Sequence, residues 1–266
     1  MKITVFTGNQ PRHIGLIHKL AAISDEVYAV QECSTLFTGI VQDSVYNKSP
    51  VMQKYFEHVS AAQHRLFGDV TFTPRNARTL SLQSGDVTRL MPELLQEAFQ
   101  SDYYIVFGAS YVRPPLVDRL IEKRAVNIHM GVSPYFRGSS CNFWAIHDGY
   151  PELVGATIHL LSRGLDSGDM LFHAFPTPAE YEPFDLGMKA VEVAHTALCM
   201  HIAQGTLYAR EPVKQDRSLE IRYSRHSDFN DAMAEAYLEK LPDKKQIGNA
   251  LANNQSKHLL LRPVYA

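Results

Sequence analysis

Apolar positions follow two rhythms along this chain. Ile3, Val5 and Phe6 form a short run closed by Gly8-Asn9-Gln10-Pro11. Ile14, Ile17, Leu20 and Ala21 then recur at helical spacing. A second strand is predicted over residues 26–30, so the chain opens as strand, loop, helix, strand. Residues 51–67 predict a helix with Met52, Tyr55, Val59 and His64 on mixed faces, and the strand pattern between Gly68 and Ser84 is weak. Pro92 suits a first helical position, with Leu94, Leu95, Ala98 and Phe99 as the inward stripe. Residues 103–107 are a compact apolar run stopped by Gly108, which is the pattern of a strand covered on both faces.

The same alternation continues. Pro114-Pro115 opens a helix facing inward through Leu116, Val117, Leu120 and Ile121. Strands are predicted over residues 125–129, 155–161 and 170–175, and a short helix over 142–147 ends near Gly149. A long helix over 185–203 turns Met188, Val191, Leu198 and Ile202 inward. The expected fold class is therefore α/β: a Rossmann-like, doubly wound, mostly parallel sheet. Residues 1–205 are assigned to one catalytic domain. Residues 206–266 form an extension packed on it, too small to build a strong core alone. Within the extension an amphipathic helix is expected over 228–241, capped by Ser227 or Asp228, and a late strand over 258–264.

Composition narrows the function. Apolar residues are 45% and charged residues 20%, so a normal core forms and disorder is excluded as the main state. The net charge of −2 and pI of about 6.6 give no basic field, which argues against a nucleic-acid partner. Cys33, Cys141 and Cys199 lie far apart without ligand spacing and predict reduced thiols, no metal site and a cytoplasmic location. Residues 1–7 read as a first strand, not a signal peptide, and no apolar run is long enough for a membrane span.

The chemistry concentrates at residues 127–129. Asn127 and His129 sit two apart at the end of an apolar strand, so both side chains project from one face. Ligands of open α/β sheets bind at carboxyl strand ends. There an amide can donate to a developing oxyanion, and an imidazole can handle protons or polarise a carbonyl. A carboxylate is needed to hold the imidazole, and Leu165-Asp166-Ser167-Gly168-Asp169 offers two. Gly164 and Gly168 would let that turn approach a ligand closely. A lone strand-end histidine is often structural, and His159 is read that way.

Val126-Asn127-Ile128-His129, followed by Ser133-Pro134-Tyr135-Phe136-Arg137-Gly138, resembles the signature of the formyltransferases that use 10-formyltetrahydrofolate. Gly155-Ala156-Thr157-Ile158-His159 and Gly164-Leu165-Asp166-Ser167-Gly168-Asp169-Met170-Leu171 resemble that family's second signature. The family usually has Ser-Leu-Leu-Pro where this chain has Gly131-Val132-Ser133-Pro134. The resemblance implies a catalytic set of Asn127, His129 and Asp166, with Asp169 structural. It implies direct attack of an amine on the formyl carbon. Asn127 and protonated His129 would stabilise the oxyanion, and Asp166 would orient His129. It also implies folate contacts from Phe107, Gly108, Ser110 and Val112 after one strand, and from Leu161, Gly164 and Leu165 after another, with Tyr111 near the ring.

Three branches of the family are similar in their core. Methionyl-tRNA formyltransferases add a C-terminal barrel and need a basic surface. Glycinamide ribonucleotide formyltransferases have a Gly/Ser-rich phosphate loop where this chain has Gly8-Asn9-Gln10-Pro11-Arg12-His13. The sugar N-formyltransferases, which act on nucleotide-linked amino sugars for bacterial surface polysaccharides such as lipopolysaccharide, fit length and charge best. That branch makes folate and an amino-sugar nucleotide the expected partners and leaves a homodimer open. Asn9, Arg12, Arg137 and Trp144 are the candidate substrate contacts. The bland alternatives are a solvated Arg12 and a core-packed Trp144. A non-catalytic folate-binding module and a formyl hydrolase remain as competing functions.

Overall fold

In a computed structural model, residues 1–41, 46, 48–254 and 260–266 are described. The first strand, β1 (Lys2–Gly8), leads through helix α1 (Pro11–Ala21) into β2 (Glu26–Cys33), as the opening pattern predicts. Helix α2 (Pro50–Phe67) starts at Ser49, whose hydroxyl accepts the Met52 N–H at 3.1 Å, with Pro50 at the first helical position. The weak stretch before Ser84 resolves into β3 (Ala77–Gln83). It is an edge strand with mostly exposed side chains, so it lacks the buried alternation that marks its neighbours.

The helix expected from Pro92 does not form. Separate 3-10 turns at Pro92–Leu95 and Ala98–Gln100 replace it, and Leu94 is 72% exposed. Leu95, Ala98 and Phe99 are buried as expected, because i, i+3 spacing aligns on a 3-10 turn as well as on an α-turn. Then follow β4 (Tyr103–Phe107), α3 (Leu116–Glu122), β5 (Val126–His129), β6 (Phe136–Gly138) and α4 (Cys141–His147). The inward face of α3 is Leu116, Val117 and Leu120, while Ile121 is on the exposed side. Strands β7 (Ala156–Leu160) and β8 (Met170–Phe175) precede the long helix α5 (Pro183–Ala203).

After α5 come β9 (Arg222–Ser224), α6 (Asp231–Glu239), α7 (Lys244–Ala252) and β10 (Val264–Tyr265). Helix α6 is capped by Asn230, not by Ser227 or Asp228. Asp228 instead closes a 3-10 turn by accepting the Arg225 N–H at 2.7 Å. The expected late strand is reduced to β10; residues 258 and 259 lie outside the described residues.

The central sheet runs β10-β8-β7-β5-β4-β1-β2-β3 and is mostly parallel, with β7 antiparallel to both neighbours. The order turns outward from β1, with β2 and β3 on one side and β4 and β5 on the other, which is the doubly wound plan. Alternation explains the continuous apolar runs. Ile105 and Phe107 join a cluster under α1 and α5, and Tyr104 and Val106 join a second cluster with Leu116 and Leu120 of α3. Each such fully buried aliphatic side chain contributes about 1.5–3 kcal/mol. A third cluster joins α4 to the C-terminal elements through Trp144, Phe229, Tyr237 and Ile247. Strand β9 pairs with β6, and β10 pairs with β8.

Candidate active site

Strand polarity builds the cleft. The parallel strands β1, β2, β3, β4 and β5 end on one side, and Gly8, Glu32, Ser84, Phe107 and Asn127 from those ends all line one cavity of about 640 Å³. That volume suits a small-molecule ligand.

Asn127, His129 and Asp166 meet there. Asn127 and His129 alternate on β5 with Val126 and Ile128, which are buried in the core under α1 and α5. Asn127 Nδ2 donates to Asp166 Oδ1 at 3.0 Å, and His129 Nδ1 lies 3.4 Å from Asp166 Oδ2. Asp166 adopts φ +44, a left-handed conformation unusual for a non-glycine residue, which turns its carboxylate into the cleft. His159 is 1% exposed and supports the group from behind. Asn127 Nδ2 lies 3.1 Å from its Nε2, and its Nδ1 lies 2.8 Å from the Leu160 carbonyl. The tautomer that satisfies both contacts carries its proton on Nδ1, so His159 accepts the second amide hydrogen of Asn127.

The electrostatics set resting charges. Burial lowers the His129 pKa below its ordinary value, and the Asp166 carboxylate only partly opposes this. Burial pushes Asp166 upward, but His129, His159 and Arg137 outweigh it and hold the carboxylate below its usual range. Asp166 is thus a carboxylate at rest, facing Nδ1 of the His129 ring. Nε2 of His129 lies 3.3 Å from the Phe136 carbonyl and 3.5 Å from Cys141 Sγ. Burial pushes the Cys141 thiol well up, which leaves it a poor nucleophile.

Several predicted contacts lie elsewhere. Phe107, Gly108, Ser110 and Leu165 line the cleft. Val112 is 5% exposed and packs with Leu161 in the core beside α3, away from the cavity. Gly164 also lies outside the lining, and a Cβ there would come 2.3 Å from Ser167 Oγ. At Gly168 a Cβ would come 1.7 Å from the Leu160 carbonyl oxygen. Both glycines therefore permit close approach of protein to protein, not of protein to ligand. Tyr111 donates to the Arg163 carbonyl outside the lining.

Of the substrate candidates, Arg12 alone reaches the cavity, where Nη1 donates to Gln63 Oε1 at 2.5 Å. The Asn9 side chain is committed to the backbone of Ser34, at 2.9 and 3.1 Å, and clips the ends of β1 and β2 together. Arg137 is buried in an ion pair with Glu220 at 2.9 Å. Trp144 is 2% exposed in the core, with the Arg222 guanidinium 4.2 Å from its ring centre. The structure thus corrects the assignment of Asn9, Arg137 and Trp144 to the cleft.

Two features escaped the sequence pattern. Glu32 accepts backbone N–H groups from Gly85, Val87 and Ser110, at 2.7, 3.2 and 2.6 Å, and so fixes the loops after β3 and β4. Gln215 Nε2 donates to the carbonyls of Asp166 and Gly168, at 2.8 and 2.9 Å, and braces the acidic turn from the C-terminal segment. Neither carries a local signal, because their partners lie dozens of residues away. Among the described residues no group of three His, Cys, Asp or Glu side chains could hold a metal, and no helix is long and apolar enough to cross a membrane.

Residues 69–202, half of the chain, match the family model described as formyl transferase. Methionyl-tRNA formyltransferase of Caldanaerobacter subterraneus subsp. tengcongensis is 34% identical over 110 residues, 38% of this chain and 35% of that protein. The matched stretch thus spans about a third of that relative's length. The solved 4-N formyltransferase of Francisella tularensis superposes with a TM-score of 0.51 at 17% identity, covering 86% of this chain and 77% of that one. Phosphoribosylglycinamide formyltransferase of Bacillus halodurans gives a TM-score of 0.51 at 18% identity, covering 79% and 97%. These two structures share the fold.

Proposed function

Because the chain belongs to the formyl transferase family, we propose that it moves the formyl group of 10-formyltetrahydrofolate onto the amine of a nucleotide-linked amino sugar. The observation that carries this reading is the convergence of Asn127, His129 and Asp166 on one small-molecule cleft.

The donor side fits a flat ring system. Phe107, Gly108, Ala109 and Ser110 border the cavity after β4, and Leu165 borders it next to Asp166. Gly108 has φ +66, so its backbone stays bare at the wall. Bound there, the folate would supply an activated formyl carbon.

The protein's own groups then divide the work. The imidazole of His129 takes the proton that the amine loses as its bond to the formyl carbon forms, and returns it to the folate nitrogen as the old carbon–nitrogen bond breaks and tetrahydrofolate leaves. Asp166 stabilises the resulting imidazolium and holds the Asn127 amide. Asn127 supplies a donor where negative charge grows once the substrate carbonyl displaces one of its two resting acceptors, Asp166 or His159. No acyl-enzyme is required.

An amino sugar is preferred to a nucleic acid because Arg12 is the one Lys or Arg among the described lining residues. Binding a phosphate backbone takes several cations. A tRNA-linked amine is the second reading, favoured by the matched methionyl-tRNA formyltransferase sequence. The amines named for similar proteins differ, methionyl-tRNA in one and phosphoribosylglycinamide in another, while formyl transfer is common to them.

Release of tetrahydrofolate from 10-formyltetrahydrofolate tests the reading, measured alone, with several nucleotide-linked amino sugars, and with methionyl-tRNA. Turnover that requires an amino sugar supports it. Equal turnover without any amine makes the protein a hydrolase, turnover only with tRNA selects the second reading, and binding without turnover leaves a folate module.

A further inference from the structure

One wall of the cleft is aromatic, and most of its rings come from segments outside residues 69–202. Tyr46, Tyr55 and Phe56 come from the α2 side, and His226, Phe229 and Tyr237 come from the C-terminal segment. The wall has two layers. At the back, Phe229 and Tyr237 are 7% and 5% exposed and pack on Phe143, with ring centres 4.9 and 4.4 Å away. In front, Tyr46 and Phe56 are half-buried and His226 is exposed. The Tyr46 ring lies 4.7 Å from Phe56 and 5.3 Å from His226.

A buried aromatic cluster alone would be core. Here the front rings keep exposed surface on a cavity that also contains the reacting side chains. Stacking suits a planar group, because an aromatic face attracts another ring with little loss of side-chain freedom. Arg12 lies in the same cavity and offers the cation that a phosphate beside such a ring would meet. The donor loops after β4 and β7 lie within the family-matched stretch, and these front-layer rings do not.

We infer that the front rings Tyr46, Phe56 and His226 form a stacking subsite for the base of a nucleoside diphosphate carried by the acceptor. This rests on the function proposed above and assigns the acceptor half of the cleft. The C-terminal segment is then part of substrate recognition as well as a brace for the Asp166 turn.

The test uses the full chain and equilibrium titration with the diphosphates of uridine, thymidine, cytidine and guanosine. Inorganic pyrophosphate serves as the arm lacking a base, and tetrahydrofolate as the donor probe. At least one nucleoside diphosphate should bind roughly tenfold more tightly than pyrophosphate. Phe56→Ala and His226→Ala should each weaken that binding by roughly tenfold while tetrahydrofolate affinity stays within about twofold. Phe56→Leu, which keeps the apolar bulk and removes the ring, should weaken it too, and thermal melting shows that each variant is folded.

The inference falls if no base-bearing probe exceeds pyrophosphate, or if folded variants retain nucleotide affinity. It also falls if the variants weaken tetrahydrofolate as much as nucleotide, which would make the wall part of the donor site. Tetrahydrofolate binding with formyl transfer to an amine lacking a base would leave the formyltransferase reading standing and remove the stacking subsite alone.

Discussion

Replacing Asp166 with Asn isolates the role of charge at the centre of the site. The substitution keeps side-chain size, and the new carboxamide oxygen can still accept the Asn127 hydrogen bond, now 3.0 Å long. What it removes is the negative charge 3.4 Å from His129 Nδ1. At that separation and an effective dielectric of about 20, the interaction with an imidazolium is worth about 5 kcal/mol. Not all of it appears in the rate, because the imidazolium forms only partly in the transition state and the amide dipole replaces some of the charge. A kcat lower by about a thousandfold, or roughly 4 kcal/mol, is therefore expected. Steady-state formation of tetrahydrofolate under saturating donor and acceptor measures it. Tetrahydrofolate affinity and melting temperature serve as controls and should be nearly unchanged. A folded Asp166→Asn protein with kcat within about threefold of the parent would refute the reasoning, since a charge that close to the base cannot be kinetically silent.

Further outcomes follow from the same geometry. Gly168→Ala forces a Cβ to 1.7 Å from the Leu160 carbonyl oxygen, so it should shift the acidic turn and remove most activity. Gly187→Ala, inside helix α5 with no atom within 4 Å of its added Cβ, should raise stability by up to about 1 kcal/mol on thermal melting. Gln215→Ala deletes both hydrogen bonds to the Asp166 turn and should cost about 1–3 kcal/mol of stability with a lower kcat. Urea unfolding and kinetics check this, and wild-type values for both would count against the brace. Acid should destabilise the fold. Burial lowers His173 to about 4 and His195 to about 3, so the unfolded chain takes up those protons first. Their stabilisation is complete above the unfolded value near 6.5 and declines as pH falls toward the folded values. Together they should lose about 4 kcal/mol between pH 7.5 and pH 5 in urea titrations, and a loss under about 1 kcal/mol would show that these rings are not buried and neutral.

The sequence made the sheet legible where both faces of a strand are covered. Residues 103–107 are apolar throughout, and 170–175 are apolar apart from the buried His173, because clusters lie above and below them, and β4 and β8 have those bounds. Edge strand β3 was obscure because its side chains mostly face solvent and its pairing is with β2, far away in sequence. The helix drawn from Pro92 failed because local spacing cannot distinguish one α-helix from two 3-10 turns. At the site, Asn127 and His129 were legible because two-residue spacing on a strand fixes a shared face. The partnership with Asp166 depends on a turn shaped by Gly168 against β7 and by Gln215, neither of which leaves a periodic trace. Arg137 and Trp144 stood near the motif in sequence, yet their side chains turn toward Glu220 and the core. Adjacency along the chain did not predict direction.

The central claim is that Asn127, His129 and Asp166 surround the reacting carbon. A crystal structure of the protein with a non-transferable 10-formyltetrahydrofolate analogue addresses it most directly. The account predicts the analogue's one-carbon oxygen within hydrogen-bond reach, about 3 Å, of Asn127 Nδ2 or the His129 ring, with the pterin between the loops after β4 and β7. An analogue bound with its one-carbon group remote from both side chains, or seated against the aromatic wall, would contradict it.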